Sequence, residues 1–552
     1  MSPQRRLFAV VALALFVAPL IASAPLFDPD EGLHAAIAQE MVQRGDYVTP
    51  TFRGEPFLDK PILFFWAEAA SLRLFGHHEA AVRIPPLLFG LAGMIAVACL
   101  GRALCGESAG LTAGIVYGTM LLPMGVSEVA VHDVGLVPFL CVAALCVVRA
   151  SELRAASSSA RALLGWGGLA GVALGLSILT KGLVGIVFTG IFGLCLVARQ
   201  PAAVIRVGLV LTIAVVVAVA VAAPWYIAME QAHPGYLHYY FVERHLQGYL
   251  TATQRHGGRP FWYYLPIVVG GALPWTGYLG GALQAIVAER MQERRDGGNA
   301  VRITLWGWLA TGLLFLSIGE SKLVTYALPL FPALALIVGE YVATRQGVAM
   351  RQQPRVFRLA FAAQALTLAL LPACGLLLIQ YRFHDANTYR WMVVTVIAAL
   401  TIHAGWRASR ATSEQALTRG IAWMTICALA GMMVVAPRAA AWMTSRDLAS
   451  MLNRAGALPP HVSIVDERLG SLIFYLDAPL RAQATAERVA VASFSEAMVR
   501  IGSDPPDAMT VVRNSQLARF NRLFPSPPMP SALAGTVSVF RADALRAALN
   551  GR

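Results

Sequence analysis

Between residues 28 and 61 the chain concentrates ionisable side chains within an otherwise oily sequence: Asp28, Asp30, Glu31, Glu40, Asp46 and Glu55, then Asp59-Lys60. Carboxylates held at a bilayer edge are costly unless they do chemistry or bind something. Further along come Arg83, His132-Asp133, Thr180-Lys181-Gly182, a loop at 226–262 containing Glu243, Arg244 and His245, and Glu320-Ser321-Lys322. Such a set suits transfer of a group carried on a phosphate. Cations would hold the phosphate and stabilise it as it leaves, while a carboxylate removes a proton from an acceptor hydroxyl or orients it.

Each residue also has a plain structural reading. Asp28, Asp30 and Glu31 suit the start of a helix over 31–44, where carboxylates meet the positive end of the dipole. The apolar spacing in 31–44 predicts an amphipathic helix in the membrane interface, ended by Gly45-Asp46. Lys60 and Arg83 either snorkel or pair locally, or bind a lipid phosphate. Asp133 either caps its helix or acts at the mouth of an apolar span. Lys181 is a boundary cation or a phosphate ligand. Arg244 and its neighbours suit phosphate. His245 could instead join a carboxylate on a divalent metal, although no HxxxH spacing supports one.

The elements that must position these residues are membrane helices. The chain has 552 residues, 57% hydrophobic and 14% charged, with mean hydropathy +0.60, which excludes an ordinary soluble enzyme. Apolar runs of roughly the 17–25 residues needed to cross a bilayer recur along it. Thirteen are predicted, at 7–27, 84–104, 108–127, 133–149, 162–180, 182–198, 205–225, 263–286, 302–318, 323–343, 359–380, 391–406 and 419–437. With the N-terminus cytoplasmic, Arg102, Arg149, Arg199, Arg290, Arg302, Arg345, Arg355 and Arg407 all fall in connections on the same side, as the positive-inside rule requires. This topology accounts for the net charge of +13 without a nucleic-acid partner. The seven cysteines lie in or beside apolar runs and show no metal-ligand spacing.

After Pro437 the composition becomes mixed polar, with strand-like runs at 462–466, 472–476, 508–512 and 536–540 and an amphipathic stretch at 484–501. The expected architecture is therefore an α-helical polytopic membrane domain over 1–437, including outer loops 28–83 and 226–262. A small α/β domain over 438–552 follows on the outer side.

Taken in order, the motifs resemble the lipid-carrier-dependent glycosyltransferases of GT-C fold. The nearest are the bacterial aminoarabinose lipid A transferases and the related protein mannosyltransferases. The matching residues are PDEG, IAQEM and GDYVTP within 29–50, DKP and FFW within 59–66, VRIP at 82–85, HD at 132–133 and TKG at 180–182. ERHLQ at 243–247, FWYYLP at 261–266, LPW at 273–275 and SKLVTYALPLFP at 321–332 continue the series. The resemblance implies an inner-membrane enzyme of a Gram-negative bacterium that moves a sugar from undecaprenyl phosphate to an acceptor at the periplasmic face. Aminoarabinose and lipid A are the leading pair, and another glycan, glycolipid or protein acceptor is the alternative. It further implies Asp30 and Asp133 as the catalytic carboxylates, and Lys60 and Tyr326 as contacts to the polyprenyl phosphate, with Lys322, Lys181, Arg83 and Arg244 as further candidates. Asp59 and His245 resemble a pair that could hold a divalent cation.

The chain departs from the aminoarabinose enzymes at Leu33-His34, where they favour Arg-Tyr, at Asp59, where they favour Glu, and at Gly248, where they favour Arg. These differences bear on sugar and acceptor more than on reaction class. The competing class is a secondary transporter or flippase, which would favour ionisable residues near the membrane midplane. Here they gather at one face.

Overall fold

The computed structural model describes residues 3–550, apart from residue 23, the segments 154–159, 252–257, 292–296 and 384–387, most of 346–351 and most of 411–436. It divides into two units: Met1–Ile21, Leu58–Phe64 and Arg83–Val435 in one, and Ala22–Phe57, Phe65–Val82 and Ala436–Arg552 in the other.

The first unit is helical. Among the described residues eight helices are long and apolar enough to cross a membrane, or nine if the bent pair Glu107–Thr119 and Leu121–Ser127 forms one span. That pair, expected as one straight run at 108–127, turns by 66°. The Trp275 indole donates to Thr119 Oγ1 at 2.9 Å beside the bend, and Leu121 N donates to Leu273 O at 2.8 Å. The run at 263–286 is likewise divided, into Tyr264–Gly271 and Thr276–Met291, around Pro274. The run at 323–343 opens as a 3₁₀ turn, Val324–Leu330, before the helix Phe331–Ala343. Most of the run at 419–437 lies outside the described residues.

Close helix packing sets where the polar residues fall. Ala160–Lys181 lies along Val204–Ala232 through Gly167, Gly171 and Gly175, spaced one turn apart. A Cβ there would come within 2.7, 2.5 and 2.6 Å of Ile213, Val217 and Val221. Small residues at this spacing let membrane helices approach through their backbones, where apolar burial gives no drive toward association. The contact fixes the axis that ends at Lys181.

The second unit holds a five-stranded sheet in the order β4-β3-β5-β7-β6. An antiparallel hairpin precedes it in the chain, β1 (Thr51–Phe52) and β2 (Glu55–Pro56). The sheet strands are β3 (Val462–Val465), β4 (Val489–Ala492), β5 (Met509–Arg513), β6 (Ala532–Ala534) and β7 (Val537–Arg541). β3 pairs in parallel with both β4 and β5, and β7 runs antiparallel to β5 and β6. The run at 472–476, expected as a strand, is instead the helix Gly470–Tyr475. Its residues are apolar and all but Tyr475 are buried, so composition alone did not separate the two forms.

Most of the segment expected as a loop of the membrane domain, 28–83, groups with this second unit. The reason is local. The helix Asp30–Arg44 meets Gly470–Tyr475 backbone to backbone: a Cβ on Gly32 would lie 2.3 Å from Ser471 N, and one on Gly470 would lie 2.2 Å from Leu33 N. Ten of the fifteen residues of Asp30–Arg44 are buried, so this is a packed helix rather than an interfacial one. Asp28 does not cap it. Its Oδ1 accepts from Ser471 N at 2.8 Å, and its Oδ2 accepts from Ser471 Oγ at 2.7 Å and Ser445 Oγ at 2.8 Å, with Arg513 Nη2 at 3.6 Å. Glu40 is also engaged, accepting from Thr51 Oγ1, Arg53 N and Gly54 N, and so holds the hairpin.

Glu68, on Leu63–Phe75, is wholly buried, and among the described residues neither of its carboxyl oxygens has a hydrogen-bond partner. Burial first, then the charge of Glu31, raises its carboxyl well above the usual glutamate range. A group raised in the folded state contributes stability that is complete below its unfolded pKa and is lost as pH rises through the folded value. Limited proteolysis of the full-length protein should therefore show the second unit loosening as pH rises above the ordinary glutamate range, and Glu68→Gln should flatten that dependence. In the same assay Asp28→Ala should speed cleavage within Ala436–Arg552, because a buried charge network losing one partner costs about 3 kcal/mol. An unchanged cleavage rate would remove Asp28 from the structural role given to it here.

Candidate active site

Within the helical unit, Asp133 begins the helix Asp133–Glu152 and Lys181 ends Ala160–Lys181. The two side chains form a direct ion pair, both largely shielded from solvent. The charge of Lys60 acts on the same carboxylate, and the Thr325 hydroxyl faces it. Lys181 Nζ also lies over the Tyr326 ring, 4.4 Å from its centroid. Four expected site residues, Asp133, Lys181, Lys60 and Tyr326, therefore meet at one end of the helices.

The turn after Lys181 explains the TKG motif. Gly182 has φ +75°, and a Cβ there would sit 2.3 Å from His245 Nε2. His245 Nδ1 lies 2.7 Å from Tyr240 O, and its ring also bonds the backbone of Lys181. Burial holds the imidazole below the usual histidine value. His245 thus braces the turn that presents Lys181. It belongs to the π-helix His238–Gln247, a local irregularity common at functional sites.

Asp59 is held by the same element. Tyr239 Oη donates to Asp59 Oδ1 at 2.7 Å, and Arg244 Nη2 lies 3.2 Å from that oxygen. Burial, together with the carboxylate it donates to, pushes the Tyr239 phenol up to about 12, so it remains a donor. These contacts disagree with the metal pair expected from Asp59 and His245. A guanidinium occupies the first, backbone groups engage the ring of the second, and among the described residues no cluster of three ligating side chains exists.

Other expected residues are placed differently. Lys322 is buried and donates to Arg259 O at 3.3 Å, bracing the chain ahead of Phe261–Tyr263. Arg83 is buried and its charge acts on Glu128. Asp30 lies in the second unit, exposed in the first turn of its helix, and among the described residues it forms no hydrogen bond or ion pair. Tyr239 and Thr325 were not singled out as site residues from the sequence. The Tyr239-Tyr240 pair beside Glu243 and Arg244 was the available signal, but aromatic residues there also fit an interfacial belt.

In charge terms, among these described residues Lys60, Lys181 and Arg244 exceed Asp133 and Asp59 by one, with Asp133 and Lys181 shielded from solvent and Asp59, Lys60 and Arg244 partly exposed. Buried ion pairs are weak sources of stability. An excess of cations that remains after pairing is suited to an anion such as phosphate.

Comparison with known proteins agrees with this reading. Residues 59–227 match the family of dolichyl-phosphate-mannose-protein mannosyltransferases. The undecaprenyl phosphate-alpha-4-amino-4-deoxy-L-arabinose arabinosyl transferase of Pectobacterium carotovorum is 31% identical over 395 residues, covering 70% of this chain and 67% of that protein. The corresponding transferase 1 of Sodalis glossinidius is 31% identical over 430 residues, covering 76% and 72%. The crystal structure of ArnT from Cupriavidus metallidurans bound to undecaprenyl phosphate superposes with a TM-score of 0.71 at 23% identity, over 97% of each chain, which establishes a shared fold. From sequence and fold together, the chain is a multi-span membrane glycosyltransferase belonging to the undecaprenyl phosphate-aminoarabinose arabinosyl transferase family.

Proposed function

We propose that this enzyme transfers aminoarabinose from undecaprenyl phosphate to lipid A at the periplasmic face of the bacterial inner membrane. The observation that carries the proposal is the convergence of Lys181 and Lys60 on the buried Asp133 carboxylate, with the Tyr326 ring beneath the Lys181 ammonium. The reading retains thirteen spans, a cytoplasmic N-terminus and a periplasmic second unit. It is supported by the arginine distribution and by the names of the relatives.

In this mechanism the donor phosphate is neutralised by Lys60 and Lys181, and the Tyr326 phenol donates to one of its oxygens. Asp133 keeps the Lys181 ammonium charged and aimed, and His245 fixes the turn behind it. Arg244, held by Asp59, adds a third cation at the edge. The acceptor hydroxyl oxygen attacks the anomeric carbon as the bond from that carbon to the phosphate oxygen breaks. The phosphate leaves with the bonding electrons, and inversion follows from attack on the opposite face. Charge on the leaving phosphate grows during this step, so fixed cations lower the barrier more than they strengthen donor binding. The hydroxyl proton goes to a carboxylate. Asp30 is proposed for that task because its oxygens are exposed and unpartnered among the described residues. No step requires a metal.

Sugar transfer should be measured in membranes at matched expression. Asp30→Asn is expected to lower kcat by about 10² to 10⁴, the usual range for a general base, with little change in donor KM. Asp133→Asn should raise donor KM as well as lower kcat, because it frees Lys181. Full activity in both variants would overturn the assignment. Lipid A from cells with and without the protein, compared by mass spectrometry, tests the acceptor: the mass of one added aminopentose is expected only where the protein is present. An unchanged lipid A spectrum would redirect the acceptor to another glycan, glycolipid or protein.

A further inference from the structure

A second polar hollow lies in the helical unit, at the other end of its helices from Asp133 and Lys181. It is a cavity of about 370 Å³ among Thr276–Met291, Gly297–Ile318 and the turn that follows Phe331–Ala343. The helix Phe331–Ala343 starts just after Tyr326 and ends at this cavity, so the two sites are roughly 20 Å apart along it at 1.5 Å per residue.

Among the described residues its charges do not cancel. Glu340 Oε1 accepts from Arg302 Nε at 3.1 Å and from Arg302 Nη2 at 2.7 Å, so those two charges neutralise each other. Arg345 is left over. Its guanidinium carbon lies 3.8 Å from the centre of the Tyr341 ring, and Nη1 donates to Tyr341 O and to Thr344 Oγ1, each at 3.1 Å. Among the described residues its Nε and Nη2 have no hydrogen-bond partner. The surround is built rather than accidental. Gln353 is buried and donates to Arg345 O at 2.8 Å and to Val348 O at 3.1 Å, which ties these two residues to it. The Tyr341 ring is seated against Gly281, where a Cβ would lie 2.3 Å from its hydroxyl oxygen.

We propose that this cavity binds a phosphate-bearing anion, the headgroup of an anionic phospholipid. A stacked guanidinium with two open N–H groups matches two phosphate oxygens in one plane. The volume lies within the range of small-ligand sites, and basic pockets between helix ends at the membrane surface take anionic headgroups. Arg302 and Arg345 are among the arginines that the positive-inside rule assigns to the cytoplasm, where the leaflet would supply such lipids.

The test uses full-length protein in phosphatidylcholine nanodiscs, titrated with phosphatidylglycerol, with retained lipid counted by native mass spectrometry. A parallel arm offers inorganic phosphate alone. The wild type should retain one phosphatidylglycerol in preference to phosphatidylcholine. Arg345→Gln should weaken that retention about tenfold, as expected for losing a charge-assisted hydrogen bond. Ala285→Phe, which fills the cavity and leaves every charge in place, should do the same, so the result does not rest on one variant folding. Phosphate binding that depends on Arg345 would support the anion site while assigning it to a soluble ligand. Equal phosphatidylglycerol retention by the wild type and both variants would overturn the proposal.

Discussion

A carboxylate at the end of a membrane helix stays ionised only if the protein replaces the water it has lost. Asp133 meets that condition through Lys181, and much of the helical unit follows from the requirement. Lys181 must arrive at a fixed height, so Ala160–Lys181 packs against Val204–Ala232 along a stripe of glycines that leaves little freedom to slide. The turn after Lys181 must then be rigid. Gly182 adopts a left-handed backbone that a side chain would block, and His245 fills the space which the missing Cβ leaves. A residue that resembles a metal ligand in sequence thus serves to position a lysine.

The same logic separates binding from stability in the site. The Asp133–Lys181 pair alone would be nearly balanced, its attraction offset by desolvation. The further charges of Lys60 and Arg244 shift the balance toward an anionic guest. In the proposed function, a donor phosphate would meet this excess positive charge as it becomes more negative during reaction.

Much of this was legible in the sequence because it rests on residue type and order. Asp133, Lys60 and Lys181 stood out as ions beside apolar runs, and burial together with the ion pair gave them context. Tyr326 entered only through the family resemblance, since a tyrosine at a helix boundary has many ordinary uses. What could not be read was pairing across long separations. Nothing local indicates that Tyr239 and Arg244 hold Asp59, or that Lys322 turns to Arg259. Breaks in apolar runs were also hidden, because hydropathy over 263–286 is continuous while the backbone turns at Pro274. The helix at 470–475 was misread for a related reason: a short, buried apolar run satisfies both periods.

The carboxylates of 28–61, which first marked the chain as unusual, divide by what surrounds them. In a parallel α/β sheet the usual ligand site is the crevice beyond the carboxyl ends of the strands, where the chain crosses from one side of a central strand to the other. Here β3 is that strand, with β4 on one side and β5 on the other. Asp28 is bonded to Ser471 after β3 and lies beside Arg513 at the end of β5, so the chain fills this crevice with its own side chain. Two residues later, Asp30 begins a helix whose backbone is pressed against that of Gly470. The anchored carboxylate and the glycine contact together restrict how Asp30 can be presented. A fold often used to bind a ligand is thereby turned to holding a helix, and Asp28 anchors so that Asp30 can stay exposed.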